Sequence, residues 1–248
     1  HGSDSTSINV IIPPDRPDIL HACDVMEDAA IAYGFNKVKA TMPRTFTIAS
    51  EQPLNKLSDS LRKELGFAGF TEILTLTLCS RAENYTNLNR SGCEQEAVVL
   101  ANPQTVEFEI VRTSLIPGAL KSIQCNKFLS LPMRIFEVAD VVLLSGNGNS
   151  ENYSDVGSRN ERHLLAMIAD SSSSGLEIIR GLLDRLITVL DIQTSQLQIR
   201  NSKDGAFFEG RQAQVFFNEK LIGIFGIVHP ECLSKFDIPF AVSALELN

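Results

Sequence analysis

Gln212-Ala213-Gln214-Val215-Phe216-Phe217, Asn218-Glu219-Lys220, Leu221-Ile222-Gly223-Ile224-Phe225-Gly226-Ile227-Val228: an alternating run, a polar tripeptide and a second apolar run follow one another. Alternation has the two-residue period of a strand with one buried face, and turn-forming residues between two such runs predict an antiparallel hairpin. His229-Pro230 breaks the second strand and opens a short helix before a final strand, Ala241 to Leu247. Outward from the hairpin, Arg134 to Leu144 is apolar at nearly every position, which predicts a central strand covered on one side by helix and on the other by loops or a partner. Leu164 to Ala169, Glu72 to Cys79 and Val98 to Ala101 read as further strands. The polar, Gly- and Asn-rich segment Ser145 to Arg162 reads as a mobile connection.

Helical spacing appears between these strands. Leu54, Leu57, Leu61 and Leu65 form one stripe, and Leu176, Ile179, Leu183, Leu186, Ile187 and Leu190 form another; either stripe could face the core or a partner. Pro117 suits a first helical turn, so a helix is expected from Pro117 to about Phe128 with Leu120, Ile123 and Phe128 facing inward. Ser80 and Glu83 have the spacing of a capping box. Hairpins and helices interleaved in this order predict an α+β domain around a largely antiparallel sheet flanked by helices. Ahead of it, Pro13-Pro14 and Pro17 hold the chain extended, and a helix from about Cys23 to Tyr33 stops at Gly34. The boundary between this small piece and the main domain is expected near residue 45, giving segments 1–45 and 46–248.

With 248 residues, 44% of them apolar, the chain can close a sizeable core. Thirty acidic against 22 basic residues give a formal charge of −8 and a pI of about 5.1, which disfavours a stand-alone nucleic-acid binder. No apolar run approaches the length of a membrane span. Five cysteines without a C-x-x-C pair read as reduced, cytoplasmic thiols. His1-Gly2-Ser3 reads as the remnant of an expression tag, and an unpaired strand at Ile8 to Ile12 suggests a chain cut from a longer one.

The densest group of chemistry-bearing residues is acidic. Asp24, Glu27 and Asp28 share one helix face, with Asp18 just upstream. Like charges at this spacing repel unless the helix N-terminal dipole or a hard cation such as magnesium compensates them. His21, His163 and His229 lack the spacing of a zinc site, and His21 beside a helix start reads as a capping or packing residue. The P-loop, the nucleophile elbow and the dinucleotide fingerprint are all absent. Gly223 and Gly226, inside an apolar strand, mark bulges or close backbone contacts.

Five segments acquire a common meaning when read together. They are Pro14 to Ile19 with Asp24, Glu27 and Asp28; Arg112-Thr113-Ser114-Leu115-Ile116-Pro117-Gly118; Phe136 to Val142; Gly175 to Asp184; and Gly226 to Glu231. In this order they resemble the β subunit of phenylalanyl-tRNA synthetase, of the cytosolic eukaryotic and archaeal type, over nearly the whole chain. The resemblance implies the end of a small α/β, magnesium-associated domain up to residue 45, then a core like that of class II aminoacyl-tRNA synthetases that does no catalysis itself. It further implies a catalytic α subunit that uses ATP, a second β subunit in an α2β2 complex, and phenylalanine tRNA bound through the whole complex. Asp18, Asp24, Glu27 and Asp28 match positions of metal-associated carboxylates, with magnesium shared with the α subunit.

Two departures favour an inactive core. Working class II cores carry a Phe-Arg-x-Glu strand whose arginine grips the ATP α-phosphate, and the matching strand here is Phe136-Glu137-Val138-Ala139. A carboxylate there repels phosphate instead of stabilising it. The glycine-rich stretch Gly223 to Pro230 also lacks the arginine that would end an ATP-binding motif. No catalytic or cofactor-binding residue is therefore assigned to this chain. Glu209 in Phe208-Glu209-Gly210-Arg211 stands where family members tend to have proline, which puts the local turn in question. The rival readings are an independent class II ligase and a binding module for tRNA or protein.

Overall fold

The computed structural model describes residues 8–42, 44, 49–91, 96–145 and 157–248. The chain divides into two compact units, His1–Ser50 and Glu51–Asn248. The boundary expected near residue 45 and most of the expected 145–162 connection lie outside the described residues.

The first unit is built around helix α1 (Ala22–Tyr33), followed by a single 3-10 turn, Phe35–Lys37. Gly34 ends α1 with φ of 97°, a conformation that costs other residues steric strain. Ile8 to Ile12 does not form the expected strand, and the regular structure in the described part of this unit is helical. An extended segment becomes a strand only by pairing with another, and none of the described residues supplies one.

The second unit comprises α2 (Pro53–Phe67), β1 (Thr71–Glu72), β2 (Leu78–Cys79), α3 (Arg81–Asn84), β3 (Ile110–Val111), α4 (Ile116–Cys125), β4 (Met133–Leu144) and β5 (Ser158–Asp170). It continues with α5 (Leu176–Val189), β6 (Leu197–Asn201), β7 (Phe207–Phe217), β8 (Lys220–Val228), α6 (Pro230–Lys235) and β9 (Ala241–Leu247). Seven strands form one sheet in the order β1-β4-β5-β9-β8-β7-β6. Among the described residues, the β1–β4 pairing is the one parallel pairing of this sheet. The architecture is α+β, with a mostly antiparallel sheet flanked by helices.

The two-residue strand period sorts the core into two layers. Ile135, Val141, Leu165, Met167, Val242 and Ala244 pack with Ile116, Ala119, Leu120 and Ile123 of α4. The alternate positions Phe136, Val138, Leu164, Ala166, Ile168 and Leu245 pack with Leu65 of α2 and Ile179, Leu182, Leu183 and Leu186 of α5. This double cover is why β4 is apolar at both phases. The β7–β8 hairpin turns through Asn218 and Glu219, both with positive φ (47° and 64°), the combination whose twist matches the flanking strands. Gly223 allows a close approach of β9, since a Cβ there would lie 2.2 Å from the Glu246 carbonyl oxygen.

Several sequence expectations need correction. β5 begins at Ser158, so the polar residues 158–162 are strand, paired with Asp140 to Leu144 of β4. Toward residues 158–160 the hairpin runs out past the core and the apolar period disappears, while Glu161 still faces the buried Val141 across the pair. Within 72–79 only the ends are strand, because Thr75 turns its N–H and hydroxyl to a buried carboxylate on β4. Val98 to Ala101 contributes one isolated bridge, Val99 to Ile110. Helix α4 stops at Cys125, and Phe128, expected inward, is 79% exposed. Phe208 to Arg211 lies within β7, where the register shifts and Gly210 takes a positive φ, so Glu209 sits in a bulged strand instead of a turn.

Candidate functional site

The acidic face of α1 has its charges engaged locally. Asp24 closes a capping box: its carboxylate accepts from the backbone N–H of Leu20 and His21, both at 2.8 Å, while His21 Nδ1 accepts from the N–H of Cys23. Those backbone donors hold the Asp24 carboxyl below its usual range. Arg16 donates from Nε to Asp18 Oδ1 at 3.0 Å and from Nη2 to Asp18 Oδ2 at 2.8 Å and Asp28 Oδ2 at 2.9 Å. Its hydrogen bond and charge hold Asp18 low, and Asp18 and Asp28 together raise the guanidinium. Glu27 makes no described contact. Of the four carboxylates named from the sequence, an arginine bridges Asp18 and Asp28 and the helix start engages Asp24, while no described contact brings Glu27 to them. Among the described residues no group of three or more His, Cys, Asp and Glu is arranged to hold a metal ion. As they stand these side chains fit a guanidinium and not a divalent ion.

In the second unit the polar groups gather beneath α4. Glu137 on β4 is 1% exposed and Arg112, just after β3, is 5% exposed. Arg112 Nη1 lies 3.0 Å from Glu137 Oε1 and donates to Thr75 Oγ1 at 2.7 Å, while its Nε donates to the Asp140 carbonyl. Thr75 donates in turn, from Oγ1 to Glu137 Oε2 at 2.6 Å and from its N–H to Oε1 at 3.2 Å. Gly118 of α4 presses on this threonine, where a Cβ would stand 2.6 Å from Thr75 Oγ1. The strand position at which the sequence resemblance expects a phosphate-binding arginine therefore holds a carboxylate that is already neutralised and sealed from solvent.

A second buried carboxylate fixes the start of α4. Glu246 on β9 accepts from Ser114 Oγ at 2.7 Å and from the Leu115 N–H at 2.8 Å, and His163 Nδ1 lies 2.9 Å from its Oε1. A negative group here complements the positive end of the helix dipole. Burial disfavours the charged Glu246, yet His163, Leu115 and Ser114 outweigh it and hold the carboxyl low. Burial likewise pulls the His163 imidazole down, but Glu246 and Glu161 prevail and raise it. Every polar member of the Arg112 to Gly118 segment is thus spent on structure: Arg112 on Glu137, Thr113 on Asn84, Ser114 on Glu246. Burial also pushes the Cys79 and Cys232 thiols up to about 12 and about 11, leaving neither a thiolate nucleophile.

Sequence reading found Glu137 but missed its partner Arg112 and the whole Glu246–His163 network. The available signal was an acid inside an apolar strand, Ala244-Leu245-Glu246-Leu247, since buried carboxylates need partners.

The fold superposes on that of a pyrrolysyl tRNA synthetase, PylSc of Desulfitobacterium hafniense, with a TM-score of 0.61 at 13% identity, covering 81% of this chain and 68% of that one. The family model described as phenylalanyl tRNA synthetase beta chain CLM domain matches residues 38–248, and that of the tRNA synthetase B5 domain matches residues 1–35. Among curated relatives, the phenylalanine–tRNA ligase beta subunit of Homo sapiens is 43% identical over 99% of this chain and 41% of its own length. The cytoplasmic beta subunit of Arabidopsis thaliana is 43% identical over 98% of this chain and 41% of its own length. The chain belongs to the phenylalanyl-tRNA synthetase beta chain family, and spans about two fifths of the length of these relatives.

Proposed function

We propose that this chain is the noncatalytic, class II-like part of the β subunit of a cytoplasmic phenylalanine–tRNA ligase. In this reading it scaffolds the α subunit in an α2β2 complex that attaches phenylalanine to its tRNA, with ATP used by the α subunit. The observation that carries the noncatalytic reading is the Glu137–Arg112 pair: a nucleotide phosphate would meet a carboxylate whose counter-charge is already in place. The loop between β1 and β2 supports the scaffold role. Thr75 is pinned beneath it, while Leu74 is 91% and Leu76 69% exposed, so two leucines are held outward on a rigid base at the β1 edge of the sheet.

Magnesium is not assigned a step in this account. Uptake by Asp18, Asp24, Glu27 and Asp28 would require Arg16 to leave Asp18 and Asp28, a rearrangement that a partner subunit would have to bring about.

The scaffold reading is tested by sedimentation of the chain with its cognate α subunit. Leu74→Asp with Leu76→Asp leaves the thermal melt within a few degrees of wild type, because both side chains are already in water, and abolishes co-sedimentation. An unchanged complex refutes the docking face.

A further inference from the structure

Helix α4 does not cap itself. Its N-cap residue, Leu115, contributes no side-chain hydrogen bond. The cap comes instead from the last strand, where Glu246 accepts from the Leu115 N–H at 2.8 Å and from Ser114 Oγ at 2.7 Å. Ser114 Oγ accepts in turn from the Ile116 N–H at 3.2 Å, so one carboxylate organises donors that a helix start leaves unpaired. Helix α3, by contrast, is capped locally by Ser80 and Glu83.

The group that holds this carboxylate is an imidazole between two acids. His163 Nδ1 lies 2.9 Å from Glu246 Oε1, and its Nε2, buried and without a hydrogen bond, lies 3.7 Å from Glu161 Oε2. The acids around the ring are otherwise matched: Glu161 by Arg159, Asp140 by Arg162, Glu137 by Arg112 and Asp204 by Arg90. Asp204 and Asn248, which bears the α-carboxylate, line the cleft beside His163, and the residue opposite it on β4 is Ala139. Histidine is the side chain whose charge ordinarily changes between about pH 5 and 8. The cap of α4 is therefore tied, across the sheet, to a group that titrates.

We propose that His163 is a proton-operated clasp on the start of α4: as imidazolium it holds Glu246 against the Ser114 to Ile116 backbone, and on losing its proton it lets that turn open locally while the sheet stays folded. The neutral ring leaves Glu246 with the Ser114 and Leu115 donors and without its neighbouring cation, so separating the carboxylate from the helix start costs less. The sheet has no such dependence, since β5 is paired on both sides through Met167.

The test is hydrogen exchange of the intact 248-residue chain, followed by NMR from about pH 6 to 8.5 and corrected for the intrinsic base-catalysed rate. Protection of the Leu115 and Ile116 amides is expected to fall by about five-fold or more as pH rises through the His163 titration, read from its Cε1–H resonance. The Met167 amide falls less, and the Glu83 amide, capped by Ser80, does not follow the histidine. His163→Gln makes protection at Leu115 and Ile116 independent of pH. Glu161→Gln, at the polar end of β5, removes one acid from the ring and moves the fall to lower pH, so the outcome does not depend on one variant folding. Equal falls at Leu115 and Met167, a fall that persists unchanged in His163→Gln, a Glu161→Gln profile that does not move, or protection that stays flat or rises with pH overturns the proposal.

Discussion

Glu137→Gln keeps the shape of the side chain and removes its charge, which isolates the electrostatic contribution of the ion pair beneath α4. At 3.0 Å and an effective dielectric constant of about 20, the attraction between Arg112 and Glu137 is about 5 to 6 kcal/mol, offset by the desolvation of both ions. The variant retains the desolvation of Arg112, which is 5% exposed, and loses the attraction. Loss of one partner of a buried pair typically costs about 3 to 5 kcal/mol. The hydrogen bonds of Arg112 to Thr75 and the Asp140 carbonyl survive and place the expected loss at about 3 kcal/mol. Replacing both ions, as Arg112→Met with Glu137→Leu, removes both desolvation penalties but leaves the Thr75 N–H and hydroxyl without their acceptor and the Asp140 carbonyl without its donor, each costing about 1 to 2 kcal/mol, so the double variant also falls below wild type. Urea unfolding followed by circular dichroism measures all three proteins. A loss below about 1 kcal/mol for Glu137→Gln refutes the argument that the pair is a matched, buried unit.

Two further perturbations probe the same region. Alanine usually stabilises a helix position relative to glycine, but Gly118→Ala sets a methyl 2.6 Å from Thr75 Oγ1, on a side chain already tied to Glu137 and Arg112, and is expected to destabilise by about 1 to 3 kcal/mol in a thermal melt; unchanged or raised stability contradicts the pinned threonine. For the His163–Glu246 pair, the raised histidine contributes stability that is complete below its usual value of 6.5 and is lost as pH rises through its folded value. The depressed Glu246 contributes above its usual 4.5 and is lost as pH falls through its folded value. The stability gap between wild type and His163→Gln, from urea midpoints, is therefore widest between about pH 4.5 and 6.5 and narrows above that range. A gap that widens toward pH 9 contradicts the assignment.

What the sequence made legible followed from short-range periodicity. The Gln212 to Val228 hairpin, the doubly buried strand at Arg134 to Leu144 and the Ser80–Glu83 capping box all stand where their patterns place them. Patterns failed where the core imposes little period: residues 158–162 of β5 are polar at both phases, and β6 alternates over only four residues, Leu197 to Arg200. Phe128 failed for a related reason, since α4 ends before it and the helical spacing used to place it no longer applies. In the candidate site, Glu137 could be singled out as an acid in an apolar strand, but its partner lies 25 residues away, and Leu115 lies 131 residues from Glu246. Such pairings are set by sheet order and not by local spacing. The acidic face of α1 was visible as a repulsion needing compensation. Its compensation at Asp18 and Asp28 comes from Arg16, a residue the charge pattern did not single out.

The central claim is that this chain lacks adenylating chemistry of its own and acts through a catalytic partner. The most direct test is phenylalanine-dependent ATP–pyrophosphate exchange by the purified chain, with and without the cognate α subunit. The account predicts no exchange above background from the chain alone and exchange when the α subunit is present. Exchange by the chain alone, abolished by substitutions on the β4 face that carries Glu137, would contradict it.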